Sequence, residues 1–266
     1  MLKADSRQPT AILPIAIFAG SRKQRKMKID VIALFPEIIA PALKTGILKR
    51  AHDANILAVN LYNLRDWTTD KHKSVDDYPY GGGAGMILKP EPIFAAVKAL
   101  NPEETANVVY LTPQGIPLTQ GFAESLSLES HLILLCGRYK GVDERVREKI
   151  VTTEVSIGDY VLSGGEIAAL VLIDAIGRVL PGALGDYESA HIDSFSQELL
   201  DHPHYTRPAE FAERHVPEVL LSGHHENIEK WRYAEALKRT AKHRPDLLQR
   251  LELSEEDIAI LKEAGL

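Results

Sequence analysis

The chain is predicted to fold as an α/β domain on a mostly parallel sheet, followed by a small α-helical domain. Three observations lead there. Short aliphatic or β-branched runs alternate with helix-period stretches, the pattern of successive βα units. Three of those runs empty into glycine-bearing loops, and ligands in open parallel sheets sit at such carboxyl ends. Beyond about residue 202 only helical patterns remain.

The elements follow in order. Ile29 to Phe35 is a strand by its β-branched content, and Pro36-Glu37 opens a helix, proline being suited to the first helical position. Asn60 to His72 is polar and aromatic. In Val75 to Met86, glycines at 81, 82, 83 and 85 exclude an element interior and predict an exposed loop. Pro90 to Leu100 returns to a helical pattern. Val108 to Leu111 is a second strand, ending in Thr112-Pro113-Gln114-Gly115. Leu132 to Cys136 is a third, ending in Gly137-Arg138-Tyr139-Lys140-Gly141. Asp143-Glu144-Arg145-Val146 then starts a helix with acids in its first turn, where the dipole favours them.

A fourth strand, Val151 to Ile157, feeds the densest stretch of the chain, Ser156 to Glu166. It holds Gly158, Gly164 and Gly165 and leads into a long apolar helix, Ile167 to Leu180. Glycine lets a ligand approach the main chain, and the helix N-terminus adds unpaired N–H groups, as a small-molecule cofactor loop requires. From Ala183 to Thr206 periodicity fails, which predicts a linker or a functional lid. Glu226 to Thr240 and the stretch capped by Ser254-Glu255-Glu256-Asp257 are helices. The expected organisation is an N-terminal extension over 1–26, a cofactor-binding domain over 27–182, a linker and lid over 183–201, and a helical domain over 202–266.

Composition sets outer bounds. Among 266 residues, 45% hydrophobic and 26% charged content is that of a globular protein with a real core. No apolar run reaches the ~20 residues needed to cross a bilayer. The single cysteine, Cys136, excludes an intramolecular disulfide framework and sits in a run that reads as core. Four cysteine or histidine ligands at zinc-site spacing do not occur, so no metal site is expected. In the extension, apolar Ala11 to Gly20 precedes the basic Ser21 to Lys26, the reverse of a secretory signal; Met27 reads as the domain start. The net charge of −6 argues against a nucleic-acid partner only weakly, because binding depends on local basic surface. Six of the ten histidines, with Arg207, Arg214, Lys230, Arg232, Lys238, Arg239, Lys242 and Arg244, fall between His202 and Arg244, though acidic residues nearly balance them.

Taken alone, these residues support an α/β enzyme with a compact nucleotide-like ligand. The Gly137 to Gly141 loop lacks the spacings of phosphate-cradling motifs. Asp143 and Asp193 read as surface carboxylates, and Arg178 as a complement to a helix C-terminal dipole.

A resemblance sharpens this. Tyr110-Leu111-Thr112-Pro113-Gln114-Gly115, Cys136-Gly137-Arg138-Tyr139, the whole of Ser156 to Glu166, Asp193-Ser194-Phe195 and His204-Tyr205-Thr206-Arg207-Pro208 resemble the bacterial tRNA (guanine-N1)-methyltransferases. So do Arg65-Asp66, Asp76-Asp77, Pro79-Tyr80-Gly81-Gly82-Gly83 and Val219-Leu220-Leu221-Ser222-Gly223. The likeness runs from Met27 to the C-terminus in the same order.

The resemblance implies a trefoil-knotted, SPOUT-type methyltransferase domain, a rare exception to ordinary chain connections. It implies S-adenosylmethionine bound in the knot by Tyr110, Leu111, Thr112, Gly137 and Tyr139 from two loops. The third loop would contribute Ile157, Gly158, Asp159, Tyr160, Val161, Leu162, Gly164 and Gly165. Close main-chain approach would account for the glycines at 137, 158, 164 and 165. The implied substrate is tRNA, methylated at N1 of the guanosine immediately 3′ of the anticodon, which supports reading-frame maintenance. Contacts would come from Asp77, Gly83, Arg207, Lys230, Arg232 and Arg239. A cytoplasmic homodimer sharing each active site between subunits is also implied.

Asp193 matches the family's general base and Arg178 the arginine at guanine O6. An aspartate is a weak base for guanine N1–H, and each pKa unit of mismatch costs about 1.4 kcal/mol. Desolvation of the base and a cation at O6 both narrow that gap. Two departures stand out. Lys140 replaces a glutamate that the family often carries, which leaves magnesium open as a second cofactor beside S-adenosylmethionine, and Ala168 replaces a proline. The competing readings are another RNA methyltransferase of the knotted class, a non-catalytic RNA-binding module, and a regulatory nucleotide-binding protein.

Overall fold

The structure is a computed structural model and describes residues 26–183, 193–195 and 198–266. Nearly all of the extension and most of the lid therefore lie outside the described residues. The chain divides into two compact units, Met1–Gly185 and Asp186–Leu266.

The first unit is a three-layer α/β sandwich. Its strands are β1 (Met27–Ala33), β2 (Leu57–Asn63), β3 (Asp76–Asp77), β4 (Ile87–Leu88), β5 (Asn107–Pro117), β6 (His131–Cys136) and β7 (Thr153–Ser156). Five of them form one sheet in the order β2-β1-β6-β5-β7, and every pairing in it is parallel. Strands buried on both faces read as continuous apolar runs, which is why His131–Cys136 and Met27–Ala33 alternate so little. One face, carrying Ile29, Val31, Leu134 and Val109, is covered by α1 (Gly46–Asp53), α3 (Gln120–Ser127) and α5 (Glu166–Val179). The other, carrying Ile32, Ile133, Leu135 and Tyr110, is covered by α2 (Pro90–Leu100) and α4 (Glu144–Lys149).

The sequence reading is corrected at three places. Pro36 opens a single 3₁₀ turn, Pro36–Ile38, and the α-helix starts only at Gly46. The polar stretch begins in the edge strand β2, which takes Asn60–Asn63 and whose side chains are mostly half-buried, and continues as a 3₁₀ turn, Leu64–Trp67. Its Asn60 donates at 2.8 Å to the fully buried carboxylate of Asp30, which also meets Lys28 at 2.6 Å and His131 at 2.8 Å. Polarity there satisfies a buried charge. Finally, β5 continues through the expected loop to Pro117, pairing with β7 on both sides of an irregularity between Leu111 and Ile116.

The second unit holds the helices Glu218–Leu221, His225–His243, Pro245–Leu248 and Glu255–Glu263. It also has a two-stranded antiparallel ladder, Glu210–Phe211 with Arg214–His215, which sequence periodicity did not predict. Among the described residues no helix is long and apolar enough to cross a membrane.

Candidate functional site

The carboxyl ends of β5, β6 and β7 are neighbours, so their three loops enclose a cleft of about 640 Å³. That is an ordinary size for a site that holds a nucleoside-sized ligand. Hydrogen bonds lock the loops together. Gly165 N–H donates to Gly137 C=O at 2.9 Å, and Arg138 and Gly164 form an antiparallel bridge. Within the last loop, Gly158 N–H donates to Ser156 Oγ at 3.2 Å and Tyr160 Oη donates to Ile157 C=O at 3.1 Å.

The glycines are required first by the protein itself. A Cβ on Gly165 would lie 2.8 Å from Cys136 Cα and 3.0 Å from Gly137 N, and backbone cannot yield cheaply. A Cβ on Gly137 would meet Tyr110 Oη at 2.8 Å. One on Gly164 would strike the Glu166 carboxylate and the Arg138 guanidinium. Among these, Gly165 is closely approached by the main chain of another loop, whereas Gly137 and Gly164 make room for side chains.

Two arginines of the lining are held by carboxylates. Arg138 lies 3.4 Å from Glu166, which is 1% exposed, and its guanidinium stacks 4.4 Å over the Phe35 ring. Arg147 grips Glu154 through two hydrogen bonds of 2.7 and 2.8 Å, and that contact holds its guanidinium firmly charged. Burial pushes the Tyr110 hydroxyl and the Cys136 thiol up, so both stay protonated and the cysteine is an inert core group.

Every residue expected to hold the cofactor lines this cleft except Asp159, which is exposed and outside it. Ile87, Glu144 and Arg147 line it as well. Sequence reasoning missed those three because only β4 and α4, folded against the loops, bring them there. Leu88 bridges to Val142, and Lys140 N–H donates to Met86 C=O at 3.0 Å. The Lys140 side chain also crosses Gly85, its Cγ 3.0 Å from where a Cβ would stand.

The expected acceptor-side residues are placed separately. Arg178 is exposed in the last turn of α5. Asp193 lies in the short described stretch 193–195 of the second unit. Asp77 and Gly83 are exposed, Asp77 on β3 and Gly83 in the loop between β3 and β4. Of the expected phosphate contacts, Arg207 is exposed, Lys230 pairs with Glu226 at 2.7 Å, Arg232 pairs with Glu229 at 2.7 Å, and Arg239 donates to Asp201 C=O at 3.3 Å.

The sequence model of the tRNA (Guanine-1)-methyltransferase TrmD family matches residues 27–250. The chain belongs to this family. It is 53% identical to the tRNA (guanine-N(1)-)-methyltransferase of Brevibacillus brevis over 237 residues, 89% of this chain and 98% of that protein. The enzyme of the same name from Dictyoglomus turgidum is 52% identical over 237 residues, covering 89% and 96%. That from Desulforamulus reducens is 50% identical over 240 residues, covering 89% and 94%. Within this methyltransferase family the cleft's lining fits an adenosyl cofactor. Apolar Ile157 and Leu162, aromatic Tyr139 and Tyr160, and bare main chain at Gly137 and Gly158 surround one nucleoside-sized volume.

Proposed function

We propose that this chain methylates N1 of the guanosine immediately 3′ of the anticodon in tRNA, with S-adenosylmethionine as donor. The observation that carries the reading is the single cleft made by the β5, β6 and β7 loops in a chain of this family. Bound there, the cofactor supplies an electrophilic methyl group on a sulfonium. The residues around it do the rest. Backbone groups around Tyr110–Thr112, Gly137, Ile157, Tyr160 and Leu162, all on the cleft wall, would hold the adenine. Orientation of this kind, rather than acid catalysis, is what in-line transfer from a sulfonium requires.

On the acceptor side, Asp193 takes the guanine N1 proton and Arg178 stabilises charge developing on O6. Asp77 and Gly83, exposed on β3 and the glycine loop, and the cations Arg207, Lys230, Arg232 and Arg239 contact the tRNA. A trefoil knot at the β5–β7 loops accords with Gly165 passing within hydrogen-bond distance of Gly137. A homodimer with shared active sites is supported by α5, which leaves Ile167 47% and Val171 42% exposed one turn apart. The cytoplasm, where tRNA is modified, is the proposed location.

The test is methyl transfer to tRNA transcripts with guanosine or adenosine at the target position. Transfer should require guanosine, and Asp193→Ala should abolish turnover while leaving cofactor affinity within a few-fold. Equal transfer to both transcripts would exclude the assigned target, and near-normal turnover by the variant would remove Asp193 as the base.

A further inference from the structure

A second cluster lies wholly within the C-terminal unit. The four residues Asp201-His202-Pro203-His204 bring one carboxylate and two imidazoles so close that their ligand atoms lie within 4.8 Å of one another. Asp201 spans the pair. Its Oδ2 is 2.6 Å from His204 Nε2 and its Oδ1 is 3.7 Å from His202 Nε2. The segment is pinned to the long helix His225–His243: Arg239 donates to Asp201 C=O, and Leu200 N–H donates to Thr240 Oγ1 at 2.9 Å. His202 is only 7% exposed, with its ring 4.3 Å from that of His204 and edge-on to Trp231 at 6.3 Å.

The deciding detail is the far side of His202. Its Nδ1 lies 3.0 Å from the Pro203 carbonyl oxygen, which can only accept, so Nδ1 carries a proton. Its Nε2 stands 3.7 Å from Asp201 Oδ1, beyond hydrogen-bond distance, and a cation set between the two would bridge that gap. A carbonyl on one imidazole nitrogen and a free lone pair on the other is the outer-shell arrangement that metal-binding histidines use. In a tetrahedral site with bonds of 2.0–2.1 Å, ligand atoms stand roughly 3.3 Å apart. The observed 2.6 and 3.7 Å, to the two oxygens of Asp201, straddle that spacing, and the whole set, within 4.8 Å, has to draw together around an ion.

We propose that Asp201, His202 and His204 bind a divalent transition ion of the zinc class. Two imidazoles and one carboxylate select such an ion over magnesium or calcium, which prefer all-oxygen sites. His204 is two-thirds exposed, so the ion enters from that side and keeps an open fourth position. The ion takes the place of the direct His204–Asp201 contact of 2.6 Å. This proposal departs from the sequence expectation of no metal. That expectation counted only cysteine and histidine and so passed over a motif in which aspartate is the third ligand.

The test uses the untagged full-length chain, stripped with chelator and titrated with Co²⁺, then with Zn²⁺ against a chromogenic competitor. One Co²⁺ per chain should bind with the visible absorption band of a tetrahedral site, and Zn²⁺ should displace it. His204→Asn and Asp201→Asn should each weaken Zn²⁺ affinity by at least about a hundredfold, because losing a ligand costs more than the roughly 10–100-fold of losing an outer-shell contact. His215→Asn, outside the cluster, should change nothing. Because His204 is largely exposed, its variant should keep the circular dichroism of the parent. Absence of stoichiometric binding, or unchanged affinity in His204→Asn and Asp201→Asn, would overturn the site.

Discussion

Gly165 shows how the loop after β7 is constrained residue by residue. Its own backbone is right-handed helical, with φ −77° and ψ −8°, so alanine would suffer no conformational penalty there. What alanine lacks is room, because its Cβ would press on the main chain of Cys136 and Gly137. Gly158 differs: its φ of +143° disfavours any side chain, and a Cβ would also lie 2.5 Å from Tyr160 Cε1. For Gly165→Ala the cost is therefore pure overpacking, about 1–3 kcal/mol, and it falls on the hydrogen bond that ties the β7 loop to the β6 loop. The variant should melt several degrees lower and bind S-adenosylmethionine at least tenfold more weakly by calorimetry. Unchanged melting and affinity would mean that the loops do not need this contact.

At the scale of elements, what could be read in advance was what is encoded locally. The last helix, Glu255–Glu263, begins with a complete capping box: Ser254 Oγ accepts from Asp257 N–H at 3.1 Å and Asp257 Oδ2 accepts from Ser254 N–H at 2.8 Å. Burial pushes the Asp257 carboxyl up, but the Ser254 N–H and hydroxyl and Tyr233 more than offset it, leaving it below its ordinary value. A carboxylate held low stabilises the fold above its unfolded pKa, and that contribution disappears as pH falls through the lower folded value. Ser254→Ala should cost about 1 kcal/mol at neutral pH. Hydrogen exchange should show roughly fivefold lower protection across residues 255–263, with the difference shrinking in acid below the ordinary carboxylate range. An equal difference at all pH values would detach Asp257 from the cap. The edge strand β2 was illegible for the opposite reason. Its polar Asn60 serves Asp30 on another strand, thirty residues away in sequence, and no local period encodes that. The Pro36 turn was misjudged likewise, since proline signals a helical start but not how far the helix runs.

For the whole molecule, the sheet order decides the site. That β5, β6 and β7 lie side by side could not be read from spacing, yet it gathers three separately legible loops into one cleft. Net charge is equally uninformative about the tRNA. A chain at −6 can still bind a polyanion if its cations are local, and four of them are assigned to phosphate contacts in the C-terminal unit. The ion pairs Lys230–Glu226 and Arg232–Glu229 do not disqualify those cations. Exposed pairs of this kind are worth about 0.2–1 kcal/mol and can exchange a carboxylate for a phosphate. Each phosphate neutralised contributes about 0.7–0.9 to the slope of log affinity against log salt. Changing Arg207, Lys230, Arg232 and Arg239 together to glutamine should therefore flatten that slope by about 3 while leaving S-adenosylmethionine affinity intact. Filter binding of tRNA across a salt series measures it. If the slope stays as steep as in the unaltered chain, the phosphates are held elsewhere on the molecule.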